Sequence, residues 1–299
     1  MGTLCSLVLT ALMACGRGEA TVASPFNGDA ALSYVQTFMQ FGPRVPGTDA
    51  HKRAGDWITA EMKARADTVY EQTWMNKTAS GATIPLRNIV ARFRPMADER
   101  LLYVTHWDSR PTAEKSPNEA QRTQPTPGAN DGASGVGLFM ALGDVLKAAP
   151  PTVGVDLVFV DGEDFGTFSP DVDVLLGSAH FASNLPSATY QPLFGIVFDM
   201  IGERDLQIRQ EGHSVNRAPE VVERVWRIAA EMGYGNIFVP ATTYEITDDH
   251  LPLLDKGLRV IDVIDLEYAW HHSVEDTVDK VSSRSLKVVG DVAWKLTQR

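Results

Sequence analysis

Four short apolar runs in this chain each lead into residues that can hold a metal ion. Residues 101–105 run into His106-Trp107-Asp108, and 155–160 into Asp161-Gly162-Glu163-Asp164. Residues 195–198 run into Asp199, and 260–264 lead a few positions later to Trp270-His271-His272. Short runs rich in β-branched residues, without polar alternation, have the pattern of strands buried on both faces. Two further strands are expected at 68–73 and 88–94. Helical spacing marks 29–41 through Leu32, Val35, Phe38 and Met39, then a segment from Thr48 or Asp49 to about Ala66. It returns at 135–148, 179–185, 219–232 and 282–295. Strands alternating with helices predict an α/β fold, a mostly parallel central sheet with helices on both faces. In such sheets functional groups gather beyond the carboxyl ends of the strands. The four polar termini should therefore meet at one edge.

Each of these residues has an ordinary explanation when taken singly. An Asp after a strand commonly closes a turn or caps a helix, and a single His is commonly just a hydrogen-bonded side chain. Collected at one edge, with Asn130-Asp131 ahead of a helix, they form an imidazole and carboxylate mixture. That mixture suits zinc, which takes N and O ligands at about 2.0–2.2 Å. So many carboxylates in one place would repel one another without a cation.

The 299 residues contain no evident linker, and residues 29–299 read as one catalytic domain. A net charge of −11 argues against a nucleic-acid surface, which needs clustered Lys and Arg. The first residues differ from the rest. An apolar run over 4–14, too short to span a bilayer, ends in Leu12-Met13-Ala14-Cys15. Residues 1–14 are expected to be a signal peptide and 15–28 a polar tether lipidated at Cys15, although no Lys or Arg precedes the apolar run. The expected setting is export, either anchored to a membrane by lipid alone or periplasmic or extracellular.

The ordered series of motifs resembles the zinc metallopeptidases that include bacterial leucyl aminopeptidases, glutamate carboxypeptidases and animal-type glutaminyl cyclases. It consists of Gly-Pro-Arg-Val-Pro-Gly-Thr at 42–48, His106-Trp107-Asp108, the glycine-rich stretch 128–135 around Asp131, Asp161-Gly162-Glu163-Asp164, Asp199, and Trp270-His271 followed by Asp276-Thr277 and Asp279-Lys280. The resemblance implies the phosphorylase/hydrolase-type sheet of zinc aminopeptidases and a role for each position. His106 and Asp199 would bind one zinc, Asp164 and His271 another, and Asp131 would bridge them. Glu163 would be the general base, and Asp108 would orient His106 or Asp131. The peptidases carry Glu at the position of Asp164, so this chain departs from them by one methylene.

Further features resemble the cyclase branch: Asp248-Asp249-His250 ahead of the last strand, Trp270 beside a ligand-like His, and Ser169-Pro170 after the acidic pair. In cyclases Asp131, Asp164 and His271 would hold a single zinc, and Glu163 would shuttle a proton with Asp248 and Asp199 in its network. Trp270 and Phe168, the latter where animal cyclases carry Trp, would wall the pocket. His250 would orient the acidic pair. The expected substrate is a peptide with a free N-terminus. The preferred reading is a glutaminyl-peptide cyclotransferase using one Zn2+, and the alternative is an aminopeptidase using two. A minor alternative, an inactive ectodomain that only binds a partner, sits poorly with a competent donor at every ligand position.

Overall fold

The computed structural model of the chain describes residues 23–298. The expected signal peptide and Cys15 lie outside the described residues. The last part of the expected tether is not a free strap. Phe26 is buried against the backbone at Gly290, and Asn27 Oδ1 accepts from the amides of Asp29 and Ala30 at 3.0 and 3.1 Å to cap the first helix.

Helices α1 (Gly28–Met39) and α2 (Asp49–Lys63) precede strands β1 (Thr68–Lys77), β2 (Thr83–Phe93) and β3 (Arg100–His106). Helix α3 (Ala133–Ala148) and strand β4 (Gly154–Val160) follow, then a two-stranded ribbon of β5 (Thr167–Phe168) and β6 (Asp171–Val172). Next come α4 (Leu176–Ser183), β7 (Phe194–Asp199), β8 (Ile208–Gln210), α5 (Gly212–Arg217), α6 (Pro219–Glu231) and β9 (Phe238–Thr242). The chain closes with α7 (His250–Asp255), β10 (Val260–Ile264) and α8 (Ser283–Leu296). The expected helices and strands all form. The first two strands extend further than expected into a long antiparallel hairpin, because their exposed, mixed residues carry little apolar signal. The short elements β8, α5, β9 and α7 lacked enough periodicity to be legible.

The central sheet runs β1-β2-β4-β3-β7-β10, with β4, β3, β7 and β10 parallel to one another and β2 antiparallel to both its neighbours. Alternate residues enter two cores. Leu101, Tyr103, Val155, Leu157, Phe159, Ile261 and Val263 join the larger one, which also holds apolar residues of α1, α2, α3, α6 and α8. Leu102, Val104, Val158, Val160 and Val260 join the smaller one, with residues of α4 and α7. Burial on both faces explains the continuous apolar runs in the sequence.

One polar residue interrupts the run in β4. Asp156 is fully buried, and Arg100 donates to it through Nε at 2.7 Å and Nη2 at 2.8 Å. Arg92 Nε and Tyr190 Oη add bonds at 3.0 and 2.8 Å.

From β3 the chain crosses to β4 on one side and then returns to β7 on the other. Such a reversal opens a crevice beyond the carboxyl ends of the strands. His106 ends β3 and Asp199 ends β7, so the sheet itself brings this pair together.

Candidate active site

Each donor is delivered by a turn that the sequence sets locally. Asp131 precedes α3 across Gly132, whose φ is +89°. A Cβ there would stand 2.9 Å from the Asp108 carbonyl oxygen and 3.0 Å from the His106 ring, so only glycine lets these segments approach. Glu163 and Asp164 follow Gly162, also at positive φ, in the turn after β4. His272 itself has φ +54°, a left-handed conformation uncommon outside glycine and typical of positions held by function.

The side chains converge. His106 Nε2 lies 3.1 Å from Asp131 Oδ1 and 3.1 Å from Asp199 Oδ1. His272 Nε2 lies 3.3 Å from Asp164 Oδ1 and 3.8 Å from Asp131 Oδ2. Asp131 thus stands between two donor sets. All five side chains are buried. Asp108 supports them from behind, accepting from the amides of Glu163 and Asp164 at 3.2 and 3.3 Å, with an oxygen 3.5 Å from His106 Nδ1. Asp276 accepts from the amides of Asn130 and Asp131 at 2.8 and 3.1 Å, which orients the Asp131 loop.

The donor set fits zinc. Donors bound tetrahedrally at about 2.0–2.1 Å stand roughly 3.3 Å apart, close to the 3.1 Å separations around His106 Nε2. Asp164 Oδ2 is buried with no hydrogen-bond partner, an atom that would cost free energy unless a cation takes it. Among the described residues three groups have ligand atoms close enough to share an ion: Asp131 with His271 and His272, His106 with Asp131 and Asp199, and Asp248 with His250 and Asp262.

Electrostatics point the same way. Burial pushes the Glu163 carboxyl well above the ordinary range, with Asp164, Asp248 and Asp249 adding repulsion and His106 opposing it. Burial likewise raises Asp164 and Asp199, and it takes Asp248 to about 7 with help from Asp199. Asp131 goes the other way. Burial would raise it, but the hydrogen bond and charge of His106, with His272 and His271, hold it low. Burial would lower His272, yet the neighbouring Asp164 carboxylate lifts it to about 9.

The cleft in front of these groups has a volume of about 500 Å³. Asp131, Glu163, Asp199 and Asp248 reach it from the sheet edge, while Phe168, Met200, Ile246, Ile264 and Leu266 supply apolar wall. Phe168 lies where the sequence reading put it. His250 is fully buried behind Asp248, its Nε2 3.2 Å from Glu211 and its Nδ1 3.7 Å from Asp262, away from the donors around Asp131.

Two placements differ from the sequence reading. His272, not His271, stands beside Asp164. The left-handed turn at His272 swings its ring inward, and His271 is left at the cleft wall with Nδ1 3.0 Å from Lys115 Nζ. Trp270 lies outside the cleft lining. It packs on Tyr268 with ring centroids 5.7 Å apart and carries Lys280 Nζ 5.0 Å from its ring centre. His271 therefore occupies the wall position expected of Trp270. Two adjacent histidines offer two registers, and apolar spacing could not choose between them.

Residues 110–127 carry no motif in the sequence, yet they contribute to the site. Arg110 Nη1 donates to Asp164 Oδ1 at 2.6 Å, which leaves Oδ2 as the free oxygen. Arg44, buried in the Gly-Pro-Arg-Val-Pro-Gly turn, donates to the carbonyls of Pro127 and Gly128 at 2.5 and 2.8 Å and so braces the Asp131 loop.

The sequence profile of Peptidase family M28 matches residues 88–297. Aminopeptidase YwaD of Bacillus subtilis (strain 168) is 25% identical over 265 residues, which cover 83% of this chain and 50% of that protein. The chain thus spans about half the length of that curated relative. A Zn-dependent exopeptidase from Parabacteroides distasonis ATCC 8503 superposes with a TM-score of 0.89 at 33% identity, over 93% of this chain and 100% of that one. Bacteroides thetaiotaomicron glutaminyl cyclase bound to N-acetylhistamine gives 0.89 at 32% identity, over 92% and 99%.

Proposed function

The chain belongs to Peptidase family M28, a zinc-dependent family, and within it we propose that this protein is a glutaminyl-peptide cyclotransferase. The reaction would close the N-terminal glutamine of a peptide to pyroglutamate and release ammonia. One observation carries the reading: Glu163 and Asp248 face the same cleft as the metal donors, and burial favours their protonated forms. Such a pair suits a reaction that moves a proton from one nitrogen to another within a single bound residue.

Asp131, Asp164 and His272 would hold the metal. Bound zinc would supply Lewis-acid polarisation of the γ-amide carbonyl. The negative cleft would attract the α-ammonium group, and Glu163 in its carboxylate form would take a proton from the α-amine as it attacks the carbonyl carbon of the γ-amide, Cδ. Glu163 then delivers that proton to the departing nitrogen, so the ring C–N bond forms as the amide C–N bond breaks. The charge of the neighbouring Asp248 would favour the protonated Glu163 by repelling its carboxylate form. Phe168, Ile246 and Leu266 keep water from competing for the carbonyl.

A second reading is favoured by a different observation. Asp131 stands between His106–Asp199 and Asp164–His272, the arrangement a two-metal aminopeptidase would use. Parallel incubation with a glutaminyl dipeptide and an aminoacyl chromogen separates the two. The cyclase reading expects ammonia from the first and no chromophore from the second. Chromophore release without ammonia overturns it.

A further inference from the structure

The segment between Ser109 and Pro127 is fastened to the histidine that faces the donors. Lys115 N donates to the His272 carbonyl at 3.1 Å, and Val274 N donates to Ser116 Oγ at 3.0 Å. Ala113 and Ser116 are fully buried, so the segment cannot swing freely. Between them Glu114 reaches the far side of His272, with Oε1 2.8 Å from Nδ1. Its other oxygen accepts from Arg110 Nε at 2.8 Å, and Arg110 Nη1 donates to Asp164 Oδ1 at 2.6 Å. His272 Nε2 lies 3.3 Å from that same oxygen and closes a ring of four side chains.

We infer that Glu114 is a positioning residue for His272, taking its Nδ1–H so that Nε2 is the nitrogen presented to Asp131 and Asp164. A carboxylate on one ring nitrogen fixes the tautomer and the ring orientation, and it strengthens the other nitrogen as a donor. The adjacent histidine shows the opposite arrangement. His271 Nδ1 meets the Lys115 ammonium, which needs that nitrogen as an acceptor, so the proton of a neutral His271 sits on Nε2. One loop thus leaves Nε2 of His272 open toward the acids and occupies Nδ1 of His271. Arg110 does the corresponding task for Asp164 by occupying Oδ1.

The inference rests on reading Asp131, Asp164 and His272 as zinc donors, and the test separates the two. Zinc affinity is measured by chelator competition on the full chain and on Glu114→Ala, Glu114→Gln and Glu119→Ala, with the melting temperature of each metal-free form. Glu114→Ala should weaken zinc binding by about 10–100-fold with little change in metal-free melting. Glu114→Gln, whose amide oxygen still accepts the Nδ1–H, should recover most of that loss. Glu119→Ala, on the same loop but exposed, should bind as the parent does. Zinc binding by Glu114→Ala within twofold of the parent overturns the role while leaving the metal reading intact, and so does a Glu114→Gln variant as weak as Glu114→Ala. Failure of the parent to bind zinc overturns the metal reading and this inference together.

Discussion

Two buried aspartates, one within β4 and one just beyond its end, receive opposite treatment. Asp156, inside the strand, is surrounded by Arg92, Arg100 and Tyr190, and each donates to it. Asp164, four residues past the strand's end, has Arg110 on one oxygen and keeps the other buried with no partner, and Glu163, Asp248, Asp249 and Asp262 crowd the same region. Among the described residues no Lys or Arg pairs with those four acids. Burial of a charge is tolerated when protein donors compensate it, and otherwise the group takes up a proton or meets a cation. The first acid is complete as folded. The second group is complete only with something added, and that difference locates the chemistry.

Four predictions press on this contrast. Glu163→Gln keeps the side-chain volume and removes the proton acceptor, so turnover should fall by about 10²–10⁴-fold with zinc still bound. Metal analysis together with kcat and KM checks it, and KM should change much less than kcat. Loss of zinc along with turnover would instead make Glu163 a ligand. Asp156→Ala strands Arg100 in the core without its partner and should cost about 3–5 kcal/mol, read by denaturant melts. A cost near zero would erase the contrast from the compensated side.

The pH dependence has a definite sign. The Asp248 carboxyl rises on folding, mainly through burial, from its ordinary value to about 7. Its contribution to stability is therefore fully present below the unfolded-state pKa near 4 and is lost as pH rises through about 7. Metal-free protein should melt lower at pH 8 than at pH 5, and bound zinc should reduce the slope. Scanning calorimetry on both forms tests this, and a metal-free profile that rises with pH contradicts it. The smallest effect belongs to Asp262→Asn. Removing one charge from an overcrowded cluster should change metal-free stability by less than about 1 kcal/mol or raise it, whereas a compensated buried acid such as Asp156 costs more when altered because its donors are left unpaired.

Much of this was legible in the sequence for a physical reason. Strands covered on both faces must be apolar throughout, so the runs ending at His106, Asp161, Asp199 and Ile264 announced themselves, and parallel packing forced their ends to one edge. Asp131, Glu163, Asp199, Asp248 and Phe168 line one cleft. What escaped was set by conformation and not by pattern. The choice of His272 over His271 depends on a left-handed backbone turn. Trp270 packs instead on Tyr268, a contact no periodicity announces. Arg110 and Glu114 sit in a segment without periodicity, where only tertiary contacts show that the chain is held.

The central claim is that the uncompensated acids around Asp131 form a zinc site, and the direct measurement is the melting temperature of chelator-stripped protein as zinc is added. At a hundredfold excess over Kd the account predicts stabilisation of about 2.7 kcal/mol, with Asp131→Asn abolishing the shift and the stripped protein inactive until zinc returns. A melting temperature indifferent to zinc, in a stripped protein that keeps full activity, would contradict it.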